Sequence, residues 1–225
     1  MMTRNKQIID HNHPSYRKRR GISGSNKWNG AFYYSEEIVK NIIPFVDTDR
    51  NWMTINTPSF GMDHSIVFIH NNLHPELYDW LSRYKDLILV CGIPETCVKM
   101  THLGIPVYLP LSVDVEQVRS YTVNEKTKDM AFFGRKSKRK GIEFPEGTDI
   151  IEGIPRTKML SVMAEYRKVF AVGRTAIEAK ILGCEILPYD PRFPNPDRWK
   201  IVDNREAAAL LNQILKDVDR KGVMI

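Results

Sequence analysis

The sequence predicts an α/β protein built from two small Rossmann-like halves with parallel sheets. Three observations favour this fold. An apolar strand that ends at Phe133 runs into Gly134, and a second apolar strand over 169–172 runs into Gly173. A helical stretch over 175–182 and a further strand over 186–188 then follow. Strand, glycine turn, helix and strand in repetition form the pattern of a doubly wound sheet.

The first twenty residues are polar and basic and show no periodic apolar pattern. They predict a flexible arm over 1–20. A glycine-rich loop follows, after which Ile38 and Ile42 fall at helical spacing. This spacing predicts a helix over 31–43, and Pro44 is expected to end it.

His70 is a candidate site residue in the first half. The chain there predicts strands over 52–55, 65–69 and 87–90, with helices over 75–84 and 96–103. His70 directly follows the second of these strands, and polar side chains in that position face the crevice where substrates bind. It is therefore a candidate catalytic or sugar-binding residue. The alternative is that it satisfies backbone groups of its own loop.

The second half has the same alternation of strands and helices. It predicts strands over 130–133 and 149–152, besides the two already named, and helices over 115–121, 157–166 and 205–218. A long loop over 189–199, rich in Pro, Asp and Asn, follows the last strand and borders the predicted site. We expect the two halves to span 21–112 and 113–225.

The ten residues FFGRKSKRKG at 132–141 predict an anion pocket. Gly134 allows a ligand to approach the backbone closely, and Arg135 and Lys140 bring fixed positive charge to the same strand end. A diphosphate suits such a pocket. The alternative is a solvated basic loop or a nucleic-acid contact, since runs of Lys and Arg are usually surface features.

Gly173, at the end of the second strand, predicts a second anion-binding position beside this pocket. Ligands of doubly wound sheets bind at the carboxyl ends of the strands, where the amino ends of helices present free N–H groups to phosphates. Gly134 and Gly173 both fall at such ends. Glu178 lies one turn into the helix that follows Gly173.

These residues resemble the donor domain of GT-B glycosyltransferases, in particular the retaining group often called family four. That domain carries a strand, then Gly-Arg, four residues and Lys-Gly, and Gly134, Arg135, Lys140 and Gly141 reproduce the spacing. Residues 107–114 are similar to the linker between the two domains of the family. The stretch NGAFYYSEEIVKNIIP at 29–44 is similar to small glycosyltransferase-like proteins of bacteriophages.

The resemblance continues at the second glycine. Gly173 matches the later glycine of the family's Gly-x-Gly, and Glu178 matches the Glu that binds the ribose of the nucleotide. By the same match, Arg174 and Thr175 belong to the part that contacts the donor phosphates. The family has another Glu, which contacts the transferred sugar, and Phe170 stands at that position here.

The resemblance implies a hexosyltransferase that moves a sugar from a nucleotide-diphosphate sugar without a metal or a further cofactor. Arg135 and Lys140 would neutralise the departing diphosphate, and His70 would face the acceptor. The acceptor is open, with DNA and cell-wall polymers both compatible. Phe170 favours one alternative, a non-catalytic module that binds nucleotide or sugar. The basic stretches favour another, a nucleic-acid-binding protein whose affinity would fall steeply with salt.

The composition of the chain limits the functions that the sequence allows. The net charge of +6 attracts phosphate-bearing ligands without specifying one. The three cysteines lack the paired spacing of a zinc site or a disulfide framework. No apolar run approaches the length of a membrane span or of a signal peptide. We therefore expect a cytoplasmic protein, in the host cytoplasm if the chain is encoded by a phage.

Overall fold

The computed structural model describes residues 7–10, 30–55, 61–69, 75–134 and 143–221. The protein is α/β, with two parallel sheets that alternate with helices, and the predicted fold class of two Rossmann-like halves is confirmed. The chain divides into two compact units. The first comprises Met1–Pro110 together with Arg205–Ile225, and the second comprises Leu111–Asn204. None of the helices in the described ranges combines the length and apolar character that a membrane crossing requires.

The first unit contains a five-stranded sheet whose strands follow chain order. Its strands are β1 (Ile8–Asp10), β2 (Asn51–Ile55), β3 (Ser65–Ile69), β4 (Leu87–Cys91) and β5 (Ile105–Tyr108), all parallel. Every residue of β3 and β4 is buried. Continuous burial is expected of central parallel strands, because both faces of such a sheet are covered.

Short helices connect these strands. They are α1 (Gly30–Glu37), which continues into a π-helical turn (Ile38–Ile42) and a 3-10 turn (Ile43–Phe45), then α2 (Pro75–Leu81) and α3 (Pro94–Val98). Leu77 and Trp80 of α2 pack on one face of the sheet with Val67 and Leu89. The helices after β3 and β4 are shorter than predicted, because 82–84 and 99–103 form turns.

Two features of the first unit differ from the expectation. Ile8–Asp10 lies within the stretch predicted as a basic arm but forms an edge strand, and Trp52 donates its amide to Gln7 O at 2.9 Å. The last helix, α7 (Asn204–Lys221), packs with the first unit although it was expected in the second half. Asn212 Nδ2 donates to Phe45 O, and Asn212 Oδ1 accepts from the amide of Asp47, both at 2.8 Å.

A charged cluster lies at the amino edge of the first sheet. His64 precedes β3 and contacts carboxylate oxygens of both Asp49 and Asp86 through its ring nitrogens. Arg50 Nη1 donates to Asp86 Oδ1 at 2.9 Å. Partial burial of Asp86 opposes its ionisation, but hydrogen bonds from His64 and Arg50 outweigh burial and lower the pKa of Asp86. The cluster joins the segments that enter three neighbouring strands.

The second unit contains a four-stranded parallel sheet in the order β7-β6-β8-β9. The strands are β6 (Lys128–Phe133), β7 (Asp149–Ile151), β8 (Tyr166–Phe170) and β9 (Glu185–Leu187). The helices are α4 (Val115–Arg119), α5 (Arg156–Ala164) and α6 (Arg174–Ile181), with a 3-10 turn at Pro196–Arg198. Helix α5 contacts β6 and β8, and α6 contacts β8 and β9.

One face of this sheet forms the core of the unit. Alternate residues of β6 and β8, including Phe133 and Val169, pack against Leu160 and Met163 of α5. The face of α5 that carries Leu160 and Met163 therefore lies in the core of the unit. Strand β8 begins earlier than predicted, at Tyr166, which is buried and donates its hydroxyl to Asp149 Oδ2 at 2.7 Å.

Lys126 joins the carboxyl ends of two helices in the second unit. Its Nζ donates to Ala164 O, the last residue of α5, at 2.9 Å and to Leu182 O, just after α6, at 2.8 Å. Carbonyl groups at helix ends have no partner within the helix, and a cation near them is also favoured by the helix dipole. Lys126 therefore stabilises the carboxyl ends of α5 and α6, which are the ends opposite the first turns of these helices.

The two ends of the second unit lie side by side. Val113 donates its amide to Val202 O, and Asn204 donates its amide to Val113 O, both at 3.2 Å. Ser112 Oγ donates to Asn204 Oδ1 at 2.9 Å, and both side chains are buried. The chain therefore enters and leaves this unit at neighbouring positions.

Candidate functional site

The order of the strands in the second sheet creates a switch point between β6 and β8. The chain leaves β6 toward β7 on one side, and after β7 it passes through α5 to β8 on the other side. In an open parallel sheet, ligands bind outside the carboxyl ends of the strands at such a point. Phe132 of β6 pairs with Phe170 of β8, so the segments that follow these two strands begin next to each other.

Gly134 is the first residue after β6. Its amide donates to Ile151 O at 3.0 Å, and its φ is 147°. A Cβ atom here would lie 3.2 Å from Cζ of Phe132, which is closer than side chains normally pack. Glycine therefore suits this position on both conformational and steric grounds.

Gly173 forms the turn between β8 and α6. It is the N-cap residue of α6, with φ 64° and ψ −138°, and makes no side-chain cap. Its carbonyl accepts from the amides of Ala176 and Ile177 at 3.1 and 3.2 Å. Helix α6 therefore begins at the switch point, and the first N–H groups of a helix have no partner within that helix. Arg174 and Thr175 form this first turn and are half-buried.

A buried carboxylate lies one turn into α6. Glu178 is 3% exposed, and its Oε1 forms an ion pair with Arg156 Nη2 at 2.8 Å. The same oxygen lies 3.5 Å from Arg174 Nη2, and the side chains of both arginines are 10% exposed. Within the part of the chain that the structure describes, Oε2 of Glu178 has no hydrogen-bond partner. The cluster thus holds one oxygen of the carboxylate and leaves the other for a donor group.

The arginines of this cluster come from two helices. Arg156 is the first residue of α5, which follows β7, and Arg174 is the first residue of α6, which follows β8. Both helices therefore begin at the carboxyl edge of the sheet. The dipole of each helix places partial positive charge at its amino end, where an anion is favoured. The site combines two helix starts, two cations and one carboxylate at one edge.

Aromatic rings cover the face of the sheet opposite the helices. Phe144 lies with its ring centroid 4.6 Å from that of Phe132 and 5.1 Å from that of Phe170. Tyr189, which follows β9, contacts Phe132 at 5.3 Å. Burial, reinforced by the charge of Asp190, raises the pKa of Tyr189 to about 12. Phe170 therefore serves as one wall of an aromatic cluster at the switch point.

The loop after β9 is fixed by charged side chains. Arg192 binds Asp190 through two hydrogen bonds, at 2.9 and 2.6 Å. Lys180 Nζ donates to Pro196 O at 2.8 Å and to Trp199 O at 3.0 Å. This loop leaves the carboxyl edge of the sheet, so the residues that border the site on this side are held in place.

The structure places one group of predicted site residues at a single edge. Gly134 and Gly173 follow neighbouring strands, and Arg174, Thr175 and Glu178 lie in the first turns of α6. The predicted residues His70, Arg135 and Lys140 lie outside the described residues. Among the side chains that the structure describes, no group of three or more His, Cys, Asp and Glu is placed to hold a metal ion.

Sequence reasoning missed Arg156. Its signal was present, because a basic residue directly after Pro155 at the start of a helix is placed toward the carboxyl edge of a parallel sheet. Comparison of the chain with protein-family models, curated proteins and solved structures gave no significant match. The evidence for function is therefore the geometry of this edge.

Proposed function

We propose that the chain is a glycosyltransferase of the GT-B type, whose second unit binds a nucleotide-diphosphate sugar at the switch point between β6 and β8. One observation carries the proposal. Glu178 is a buried carboxylate directly beside a glycine turn at that point, and one of its oxygens has no hydrogen-bond partner among the described residues. A ligand that carries a phosphate and hydroxyl groups suits this site, because the phosphate would bind at the glycine turn and a hydroxyl group would donate to the free oxygen of Glu178.

The diphosphate would bind at the two strand ends. Gly134 and Gly173 place backbone without side chains at this edge, and α6 directs the positive end of its dipole there. Phosphate oxygens are strong acceptors, so N–H groups at the start of α6 would donate to them. Arg174 and Thr175 occupy this first turn and would line the phosphate position.

The ribose would bind at Glu178. A carboxylate oxygen is an acceptor only, and a ribose hydroxyl is a donor, so Oε2 of Glu178 is suited to that group. Burial strengthens such a contact, because water competes poorly inside the protein. The ion pair between Arg156 and Oε1 of Glu178 holds the carboxylate, so Oε2 keeps a fixed position.

The chemistry would depend on two cations that follow Gly134 in the sequence. Departure of the nucleotide develops negative charge on the diphosphate, and Arg135 and Lys140, which lie outside the described residues, would neutralise it. These side chains would perform the task that a metal ion performs in other transferases. His70, also outside the described residues, would face the acceptor, for which DNA and cell-wall polymers both stay open.

A second candidate is a module that binds nucleotide or sugar without turnover. The observation that favours it is Phe170, whose ring packs 5.1 Å from that of Phe144 at the strand end next to the glycine turn. An aromatic ring supplies stacking surface and no acid, base or nucleophile. Binding without release of the nucleotide would distinguish this module from a transferase.

The test is a thermal melt with a panel of nucleotides and nucleotide sugars, followed by release of free nucleotide over time. A ligand at one hundred times its Kd stabilises the folded state by about 2.7 kcal/mol. For a chain of this size the expected rise in Tm is about 5–10 °C. Arg135→Ala and Glu178→Gln should reduce this rise, and Lys158→Ala, an exposed neighbour of Arg156 in α5, should keep it.

The outcomes separate the candidates. Stabilisation with slow hydrolysis of the donor supports a transferase and identifies its sugar. Stabilisation without release, also in the presence of candidate acceptors, supports the binding module. Absence of any response to nucleotides would refute both, and a salt-dependent affinity for DNA would then support a nucleic-acid-binding protein.

A further inference from the structure

Arg156 has a special relation to Glu178. It belongs to α5, whereas Glu178 belongs to α6, so their ion pair at 2.8 Å joins two helices. Arg174 contacts the same oxygen from within α6, four residues away, but at 3.5 Å. Electrostatic attraction weakens with distance, so Arg156 provides the closer positive charge, while the hydrogen bond to Oε1 is donated by Arg174 Nη2.

The support acts on the orientation of the carboxylate. A glutamate side chain has three rotatable bonds, and its terminal torsion is broad, so the carboxylate turns unless its surroundings hold it. Both arginines lie at Oε1, and Glu178 is nearly fully buried. The arginines therefore hold one oxygen of the carboxylate, and the other oxygen, Oε2 in this structure, keeps a fixed position as an acceptor.

We infer that Arg156 is a positioning residue that sets the preference of the site for a ribose over a deoxyribose. The inference rests on the proposed function, in which a ribose hydroxyl donates to Oε2 of Glu178. Arg156 fixes Oε1, and Oε2 then stands where the hydroxyl arrives. Without Arg156 the carboxylate turns, and the hydroxyl gains little over a hydrogen atom in the same place.

The preference follows from the energy of the hydrogen bond. A hydrogen bond to a charged group contributes about 1.5–3 kcal/mol, which corresponds to about a tenfold to a hundredfold difference in affinity. The wild-type protein should therefore bind the ribonucleotide tighter than the dideoxynucleotide by at least about tenfold. The diphosphate contacts are common to both ligands and cancel in this ratio.

The experiment measures Kd by calorimetry for UDP and GDP and for their 2′-deoxy and 2′,3′-dideoxy forms. Arg156→Leu should lower the affinity for the ribonucleotide to that for the dideoxy form and leave the dideoxy affinity unchanged. Glu178→Gln should lower the ratio in the same way, and the double variant should lower it no further. Lys158→Leu, in the same helix turn but exposed, should keep the wild-type ratio.

Arg156→Lys is the second variant to test in case Arg156→Leu does not fold, because Lys keeps a positive charge near Glu178. Lys has a single ammonium group where Arg has a planar fork, so this variant should retain only part of the preference. An unchanged ratio in Arg156→Leu, or in Arg156→Lys if the Leu variant does not fold, would overturn the inference. Equal loss of affinity for all three sugar forms would also overturn it, since Arg156 would then bind the phosphates.

The proposed function and the inference fail in different ways. If the wild-type protein binds none of these nucleotides, the proposed function is wrong and the inference falls with it. If the wild-type protein binds them with a ribose preference that Arg156 variants retain, the proposed function stands and only the inference is wrong.

Discussion

Replacement of Lys126 by Met should destabilise the second unit strongly. Lys126 Nζ makes two short hydrogen bonds, to Ala164 O and Leu182 O, at 2.9 and 2.8 Å. Met keeps the apolar stem and removes both donors. A hydrogen bond to a charged group contributes about 1.5–3 kcal/mol, and Lys126 is half-buried, so the lower figure applies to each. The expected loss is about 3 kcal/mol in the free energy of unfolding, or about 6–12 °C in Tm.

The assay is thermal and urea unfolding followed by far-UV circular dichroism. Lys128→Met is the matched control, because Lys128 forms a 2.7 Å ion pair with Glu165 in which both side chains are more than a third exposed. An exposed pair of this kind contributes less than about 1 kcal/mol. Equal destabilisation by the two substitutions would refute the reasoning, since the carbonyl groups at the helix ends would then gain no more from the half-buried Lys126 than an exposed ion pair gains from Lys128.

Three further outcomes are expected. Asp86→Asn should flatten the loss of stability in acid, measured by urea unfolding from about pH 6 to about pH 3. The lowered pKa of Asp86 stabilises the fold above its unfolded value of 3.8, and this contribution disappears as the pH falls through the folded pKa; a curve parallel to that of wild type would contradict this contribution of Asp86. Gly173→Ala should cost about 1–3 kcal/mol through its φ of 64°, and an unchanged Tm would argue against that strain. Lys180→Met should speed hydrogen exchange near Trp199, whose carbonyl it binds at 3.0 Å, and unchanged protection would contradict the loop contact.

The sequence allowed the prediction of the second sheet and of its carboxyl edge. Glycine after an apolar strand is a strong local signal, and it placed Gly134 and Gly173 correctly at carboxyl ends of strands, which the structure shows to be neighbours. The boundaries were less predictable. The sequence pattern starts this strand only at Val169 because the charged residues Arg167 and Lys168 interrupt it, and the burial of Tyr166 with its hydrogen bond to Asp149 is a tertiary effect.

Other features depend on contacts that no local pattern reveals. Strand β1 comprises only Ile8–Asp10, which is too short to give a recognisable strand pattern in the sequence. It forms because β2 offers a free edge for pairing. The partnership of Arg156 with Glu178 joins residues 22 positions apart, by their numbers, on different helices. The parallel direction of the strands brings the starts of α5 and α6 to one edge, and the strand order places them on the two sides of β6.

The neighbouring ends of the second unit have a consequence for synthesis of the protein on the ribosome. Because Ser112 and Val113 bind Val202 and Asn204, the second unit is one uninterrupted stretch of chain whose contacts are complete once Asn204 has emerged. The first unit begins earlier but needs α7, which follows the second unit in the chain. We therefore expect the second unit to reach its native fold first. Until α7 has been made, the sheet of the first unit keeps apolar surface exposed to chaperones.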